Sequence, residues 1–247
     1  MDDNAAEFLG WYLGDGCLSI TKNHYEFALT GDLIEEFTFY KEVVVPKFNR
    51  LFDKKVELKE YPSVEVCGVY IFEKDFVKSI QKEFNLRGGK KLEVNLPKLE
   101  TASQKKCFLR GLFDTDESIY FCKSNVKTKN PTFCNTFNYK PKIKVATISK
   151  DLMEYVFNLL LELGFSPRYY APRRQRINEN IMYSIVMDTT PNVGKWITEI
   201  GFKSPKHNTK IEVWKKFGYC PPHTTLKQRT NLLNGTVNMA SSMKKRE

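Results

Sequence analysis

Asp15 and Asp116 each follow a small residue at the end of an apolar stretch, and the two stretches read almost alike. The first is Phe8-Leu9-Gly10-Trp11-Tyr12-Leu13-Gly14-Asp15-Gly16; the second is Leu109-Arg110-Gly111-Leu112-Phe113-Asp114-Thr115-Asp116-Glu117. Gly10 with Gly14, and Gly111 with Thr115, stand four residues apart, so each pair shares one helix face and allows close backbone approach. Two such helices, packed small face to small face, bring Asp15 and Asp116 together where both helices end. That end carries the partial negative charge of the helix dipole. Two acids placed there repel each other unless something cationic lies between them. A divalent metal is the natural answer, and the chemistry is that of a metal held by hard oxygens.

The elements that must position these acids recur in both halves. Residues 17–20 alternate as a strand, a turn at Lys22-Asn23-His24 follows, and residues 25–30 form a second strand. Gly31-Asp32 then predicts the cap of a helix over residues 33–51, which Pro46 kinks or breaks. After Asp116 the same order returns: strands over 118–123 and 142–148, and a helix over 150–163 capped by Ser149 and stopped by Gly164. Hairpins over 55–60 with 63–72, and over 166–170 with 182–188, repeat as well, as do short helices over 73–84 and 191–200. The halves differ mainly between their first two strands. Asp15 to Asp32 is 17 residues, whereas Asp116 to Asp151 is 35, and residues 124–139 form a long polar insertion.

This repeat predicts an α+β chain of two pseudo-twofold-related αββαββα halves with curved antiparallel sheets. Residues 1–100 form the first half, 101–222 the second, and 223–247 a polar and basic tail, unstructured or serving as an arm for a nucleic-acid backbone. Residues 85–106 bridge the halves. Because each motif helix finds its partner within the chain, a monomer is expected, with no obligate protein partner.

Composition narrows the class of function. The 247 residues are 41% hydrophobic and 13% aromatic, which suits a folded core. A formal charge of +10, from 39 basic and 29 acidic residues, favours a polyanionic partner. Six cysteines show no CxxC pairing and only three histidines are present, so a structural zinc site is not expected. The acidic start Met1-Asp2-Asp3-Asn4 predicts no secretory signal, and no run has the length of a membrane span, so an intracellular protein is expected.

The paired motifs, each followed by the same pattern over most of residues 5–220, resemble the LAGLIDADG homing endonucleases in their two-motif, single-chain form. The resemblance implies a site-specific endonuclease that makes double-strand breaks with cohesive ends in duplex DNA, using Mg²⁺ or Mn²⁺, with Ca²⁺ as a substitute that does not support cleavage. It assigns Asp15 and Asp116 as metal ligands, one from each half and each serving one strand, with the Gly14 and Thr115 backbone nearby. It also implies a basic residue near each centre; repeat alignment selects Lys90 and Lys206, with Lys91 a competitor. Asp114 rivals Asp116 but points away from the packed face two residues earlier. Glu117 departs from the pattern, since a glycine commonly follows the acid; an extra ligand, a helix-end variant and an impaired second centre all stay open.

A sheet covered on one side by helices leaves the other side for a ligand, and a two-stranded ribbon fits the major groove. On that side Lys140, Lys142 and Lys144 alternate with Pro141, Ile143 and Val145, and Ser19, Thr21 and Asn23 alternate with Leu18 and Ile20. Arg168, Arg173, Arg174 and Arg176 lie in or beside the second half's later hairpin. These are the expected DNA contacts, and the unlike halves imply an asymmetric site. Intron RNA, bound by a splicing maturase of the same fold, is the alternative partner; a non-cleaving DNA-binding regulator is another. With Met1-Asp2 at one end and Lys245-Arg246-Glu247 at the other, a free-standing protein encoded within an intron is expected rather than an intein.

Overall fold

In the computed structural model, which describes residues 1–89, 91–115, 119–123, 138–171 and 180–237, the first motif is helix α1 (Asp3–Asp15) and the second is helix α5 (Ala102–Thr115). Asp2 caps α1 by accepting the Ala5 amide at 2.7 Å. Residues 5–13 of α1 are all buried, including polar Glu7, so α1 is enclosed on every side rather than along one stripe.

Each motif helix leads into a four-stranded antiparallel sheet. In the first half β1 (Gly16–Ile20), β2 (Tyr25–Asp32), β3 (Lys59–Tyr61) and β4 (Val66–Ile71) are ordered β1-β2-β4-β3. In the second half β5 (Ile119–Lys123), β6 (Asn138–Thr147), β7 (Arg168–Tyr170) and β8 (Tyr183–Met187) are ordered β5-β6-β8-β7. Register repeats too: Phe27 pairs with Ile71 as Ile143 pairs with Met187. These are two pseudo-symmetric α+β halves. Pro141 sits on β6 opposite Phe121, beside a register shift at Cys122/Lys123 and short of the β8 pairing, so its missing N–H leaves no gap in that ladder.

Aromatic packing fastens each motif helix within its own half. Phe8 of α1 lies 5.9 Å from Phe27 and 6.1 Å from Phe48, centroid to centroid. Phe113 of α5 lies 4.5 Å from Trp196, which belongs to α7 (Thr190–Glu199). On the helix-covered side of β6 the side chains of Pro141, Ile143 and Val145 are buried. The period-two pattern therefore selects the same face as the sequence predicts.

Three segments differ from expectation. The helix placed over 33–51 begins only at Phe37. The Asp32 carboxylate accepts the amides of Ile34 and Glu35 at 2.8 and 2.7 Å, and Glu36 accepts the Asp32 amide, so local side-chain bonds replace the first helical turn. The helix then runs as α2 (Phe37–Phe39), a π-type turn over Tyr40–Val44, and α3 (Val45–Phe52); the wider turn absorbs the amide that Pro46 lacks. The expected helices over 73–84 and 150–163 appear as α4 (Lys74–Glu83) and α6 (Lys150–Glu162), the latter capped by Ser149 on the Leu152 amide. Second, α8 (Pro205–Phe217) was not foreseen; Pro205 stands in its first turn, where the missing N–H has no helical partner to lose.

Third, the tail contains a docked helix. α9 (Leu226–Leu233) starts at a capping box, Thr225 with Gln228, and packs against α8. Arg229, fully buried, donates to Glu35 Oε2 at 2.5 Å and to Thr209 Oγ1 at 3.0 Å. It thereby ties the tail to both halves. Deleting residues 223–247 leaves Glu35 without this partner and uncovers α8, at an expected cost of roughly 3 kcal/mol. An unchanged urea midpoint for the truncated protein would show that α9 is not part of the cooperative fold.

Candidate active site

The seam between α1 and α5 depends on two glycines. A Cβ on Gly10 would lie 2.3 Å from Phe108 O and 2.6 Å from Leu112 N; one on Gly111 would lie 2.3 Å from Glu7 O. Both obstacles are backbone atoms, so only glycine permits this approach. The helices run in the same direction. Near their starts Ser103 donates to Asp3 and the Gln104 amide to Met1 O at 2.8 Å. Both helices therefore end on the same side, α1 five residues beyond Gly10 and α5 four beyond Gly111.

A buried charge cluster locks the seam halfway along. Glu7, 1% exposed, accepts from Arg110 Nε at 2.8 Å, from Lys203 Nζ at 3.0 Å and from Lys47. Burial alone raises the Glu7 carboxyl, but the bonds to Arg110, Lys47 and Lys203 outweigh it and hold it below its ordinary value. A depressed folded value means that this stability is present above the unfolded value of 4.5 and is lost as pH falls below it. Glu7→Gln should cost roughly 3 kcal/mol at pH 7, by leaving buried cations unpaired, and the deficit should shrink as pH drops from 6 to 3. Denaturation midpoints across that range check this; a deficit constant with pH would contradict it.

At the end of the seam the two halves differ. Asp15, half-buried, closes α1, and the carbonyl of Gly14 accepts from Lys91 Nζ. Lys91 arrives on a loop pinned over α1, where Tyr12 Oη donates to Arg87 O at 2.8 Å and Gly89 N to Leu18 O at 3.2 Å. Gly89 has φ +89°, which glycine adopts without strain. In the second half Thr115 takes the place of Gly14. Its hydroxyl turns back to donate to Gly111 O and Leu112 O, both at 3.1 Å. Asp116, the other expected ligand, lies outside the described residues, as do Glu117 and Lys90.

Asp114 has a structural task. It is fully buried and accepts the Lys203 and Ser204 amides at 3.0–3.1 Å, anchoring the segment that opens α8. Burial pushes its carboxyl up to about 7, against the pull of those amides. Lys206, the aligned basic candidate, donates to Glu36 Oε1 of the first half at 3.1 Å. Lys206 thus reaches from the second half across to the first.

Sequence alignment missed Lys210. It lies one turn further along α8, and its Nζ reaches Ile119 O at 3.5 Å, on the strand that begins three residues after Asp116. Ile119 is the counterpart of Leu18, whose carbonyl the Lys91 loop holds in the first half. Burial lowers the Lys210 ammonium, and no carboxylate among the described residues lies within ion-pair distance. The signal was the α8 periodicity itself, since Lys206 and Lys210 share one face.

The expected DNA contacts fall on the sides away from the helices. Lys140 is exposed and Lys142 and Lys144 half-buried; Ser19 is half-buried, and Thr21 and Asn23 are exposed at the β1–β2 turn. Arg168 lies 3.3 Å from Asp188, which also lies 3.8 Å from Lys142. Arg173, Arg174 and Arg176 lie outside the described residues.

Residues 103–190 match the LAGLIDADG-like domain family. Over longer spans the chain superposes on the homing endonuclease I-DmoI in complex with DNA and Ca, at 14% identity and TM-score 0.55, covering 85% of this chain and 97% of that one. The complex of I-DmoI with DNA and Mn gives 15% and 0.53, over 81% and 96%. The chain has the two-motif LAGLIDADG fold. The I-LtrWI LAGLIDADG homing endonuclease bound to target DNA is a further likeness, with 12% identity and TM-score 0.53 over 87% and 89% of the two chains. No curated protein matches the sequence. Within this LAGLIDADG fold the glycine seam and the same-side helix ends are the central features. No helix among the described residues is long and apolar enough to cross a membrane.

Proposed function

We propose that the chain is a site-specific endonuclease that makes metal-dependent double-strand breaks in a long, asymmetric duplex DNA site, and that it is intron-encoded and acts as a monomer. The observation that supports this reading is the glycine seam, along which α1 and α5 run in the same direction and end on the same side. DNA-bound homing endonucleases with this fold support it.

Asp15 and Asp116 are the proposed ligands of Mg²⁺ or Mn²⁺, with the Gly14 and Thr115 backbone adjoining. The donor set fits such an ion. Asp15 supplies a hard oxygen at the negative end of α1, the kind of donor that such an ion takes. When bound, a divalent ion supplies activated water and offsets charge developing on phosphorus.

The chain's own groups do the rest. Lys91 keeps positive charge at the end of α1 and Lys210 carries it to the start of β5, each able to neutralise a phosphate oxygen or order water there. Lys90 and Lys206 remain the aligned candidates for the same task. Gly10 and Gly111 set the close approach of α1 and α5 that this reading needs, and the open sheet faces would take the flanking duplex.

Incubation with a randomised duplex library and Mg²⁺, followed by sequencing of new ends, tests the reading. Defined ends at one long, asymmetric site are expected. Selective RNA binding with no DNA cut would replace it with the maturase reading.

A further inference from the structure

We infer that the two halves divide the work on duplex DNA unequally: residues 101–222 supply most of the electrostatic affinity, while the first sheet lies against the duplex with little charge contribution of its own. The inference rests on the DNA reading above and specifies how that surface is used.

The net charge of +10 is not shared. Residues 1–100 hold 14 Lys and Arg against 18 Asp and Glu, a net −4. Residues 101–222 hold 20 against 10, a net +10, and residues 223–247 hold 5 against 1, a net +4. The strand registers show that this difference falls on the open faces. Ser19 pairs with Glu26 as Tyr120 pairs with Lys142, and Ala28 pairs with Tyr70 as Lys144 pairs with Val186. Glu26 therefore occupies the position of Lys142, and Ala28 that of Lys144.

Around Lys142 and Lys144 the second face adds Lys140 two residues along the strand, and Arg168 across Val186 from Lys144. Asp188 stands between Lys142 and Arg168 and holds the array in place without cancelling it. Around Glu26 the first face offers His24, which bonds to Glu26 at 3.0 Å, and uncharged Ser19 and Thr30; its one cation in the strands is Lys59, which pairs across Gly68 from Thr30 at the sheet edge. Binding of duplex DNA scales with the phosphates neutralised and counterions released, each adding about 0.9 to the slope of log K against log salt. A face with an acid at a central position releases none there. Its contribution is then base and shape readout, and the second sheet sets the lifetime on DNA.

Fluorescence anisotropy with a random-sequence duplex of about 30 base pairs, titrated from low to moderate KCl, reads this directly. Replacing Lys140, Lys142 and Lys144 by Ser should reduce the slope by about 3, whereas replacing Lys22, Lys55 and Lys59 of the first half should change it by less than about 1. Glu26→Lys should tighten binding and steepen the slope by about 1, a gain that misfolding cannot imitate. Equal losses in the two triple variants, or no gain from Glu26→Lys, would overturn the inference and leave the DNA reading intact. Failure of the parent chain to bind the duplex at low salt would overturn both.

Discussion

Asp15→Asn is expected to lower double-strand cleavage by on the order of 10³-fold in Mg²⁺, with duplex affinity close to that of the parent. The amide keeps the shape of the side chain but removes the charge proposed to hold a divalent ion at the end of α1. Asp116→Asn should do the same from the other half, whereas Asp114→Asn should act through the α8 anchor, on stability rather than on metal dependence. The readout is cleavage of the duplex selected from the randomised library, beside anisotropy on the same duplex. Parental cutting of both strands by either ligand variant would remove the two carboxylates from the mechanism.

The second large effect is on the fold. Gly10→Ala should destabilise the chain by roughly 4 kcal/mol, because the new methyl meets backbone atoms of α5 that cannot turn aside. The helices must separate, and the spacing of the acids at their ends changes with them. Cleavage should therefore fall even where the variant remains folded. Gly194→Ala is the matched control. Nothing lies within 4 Å of its added Cβ in α7, so it should stabilise by up to about 1 kcal/mol. Urea midpoints for the two variants measure the contrast. Near-equal midpoints would mean that the seam does not depend on the absence of a side chain at Gly10.

Much of this architecture is legible in one chain because its signals are local. Ser149 before Lys150 and Gly164 after Glu162 bracket α6, and the alternation from Lys140 to Val145 selects the buried face of β6. The glycine spacing in the two motifs predicts the seam. What escaped depends on partners distant in sequence or on competing local bonds. Asp32 and Glu36 turn the chain where a helix was expected, since their carboxylates take the amides that would have started it. The tail reads as unstructured because its polar residues hide Arg229, whose role appears only with Glu35, 194 residues away. The capping box at Thr225 and Gln228 was the available sign. Asp114 likewise reads as a rival ligand until Lys203 and Ser204 are seen to bond it. Lys206 and Lys210 could not be ranked before α8 was known.

Anomalous scattering from Mn²⁺-soaked crystals of the chain bound to its selected duplex tests the pairing of Asp15 with Asp116 most directly. Manganese peaks about 2.1 Å from both carboxylates, at the shared end of α1 and α5, are the predicted result. Peaks elsewhere, with the two acids turned to separate solvent regions, would contradict it.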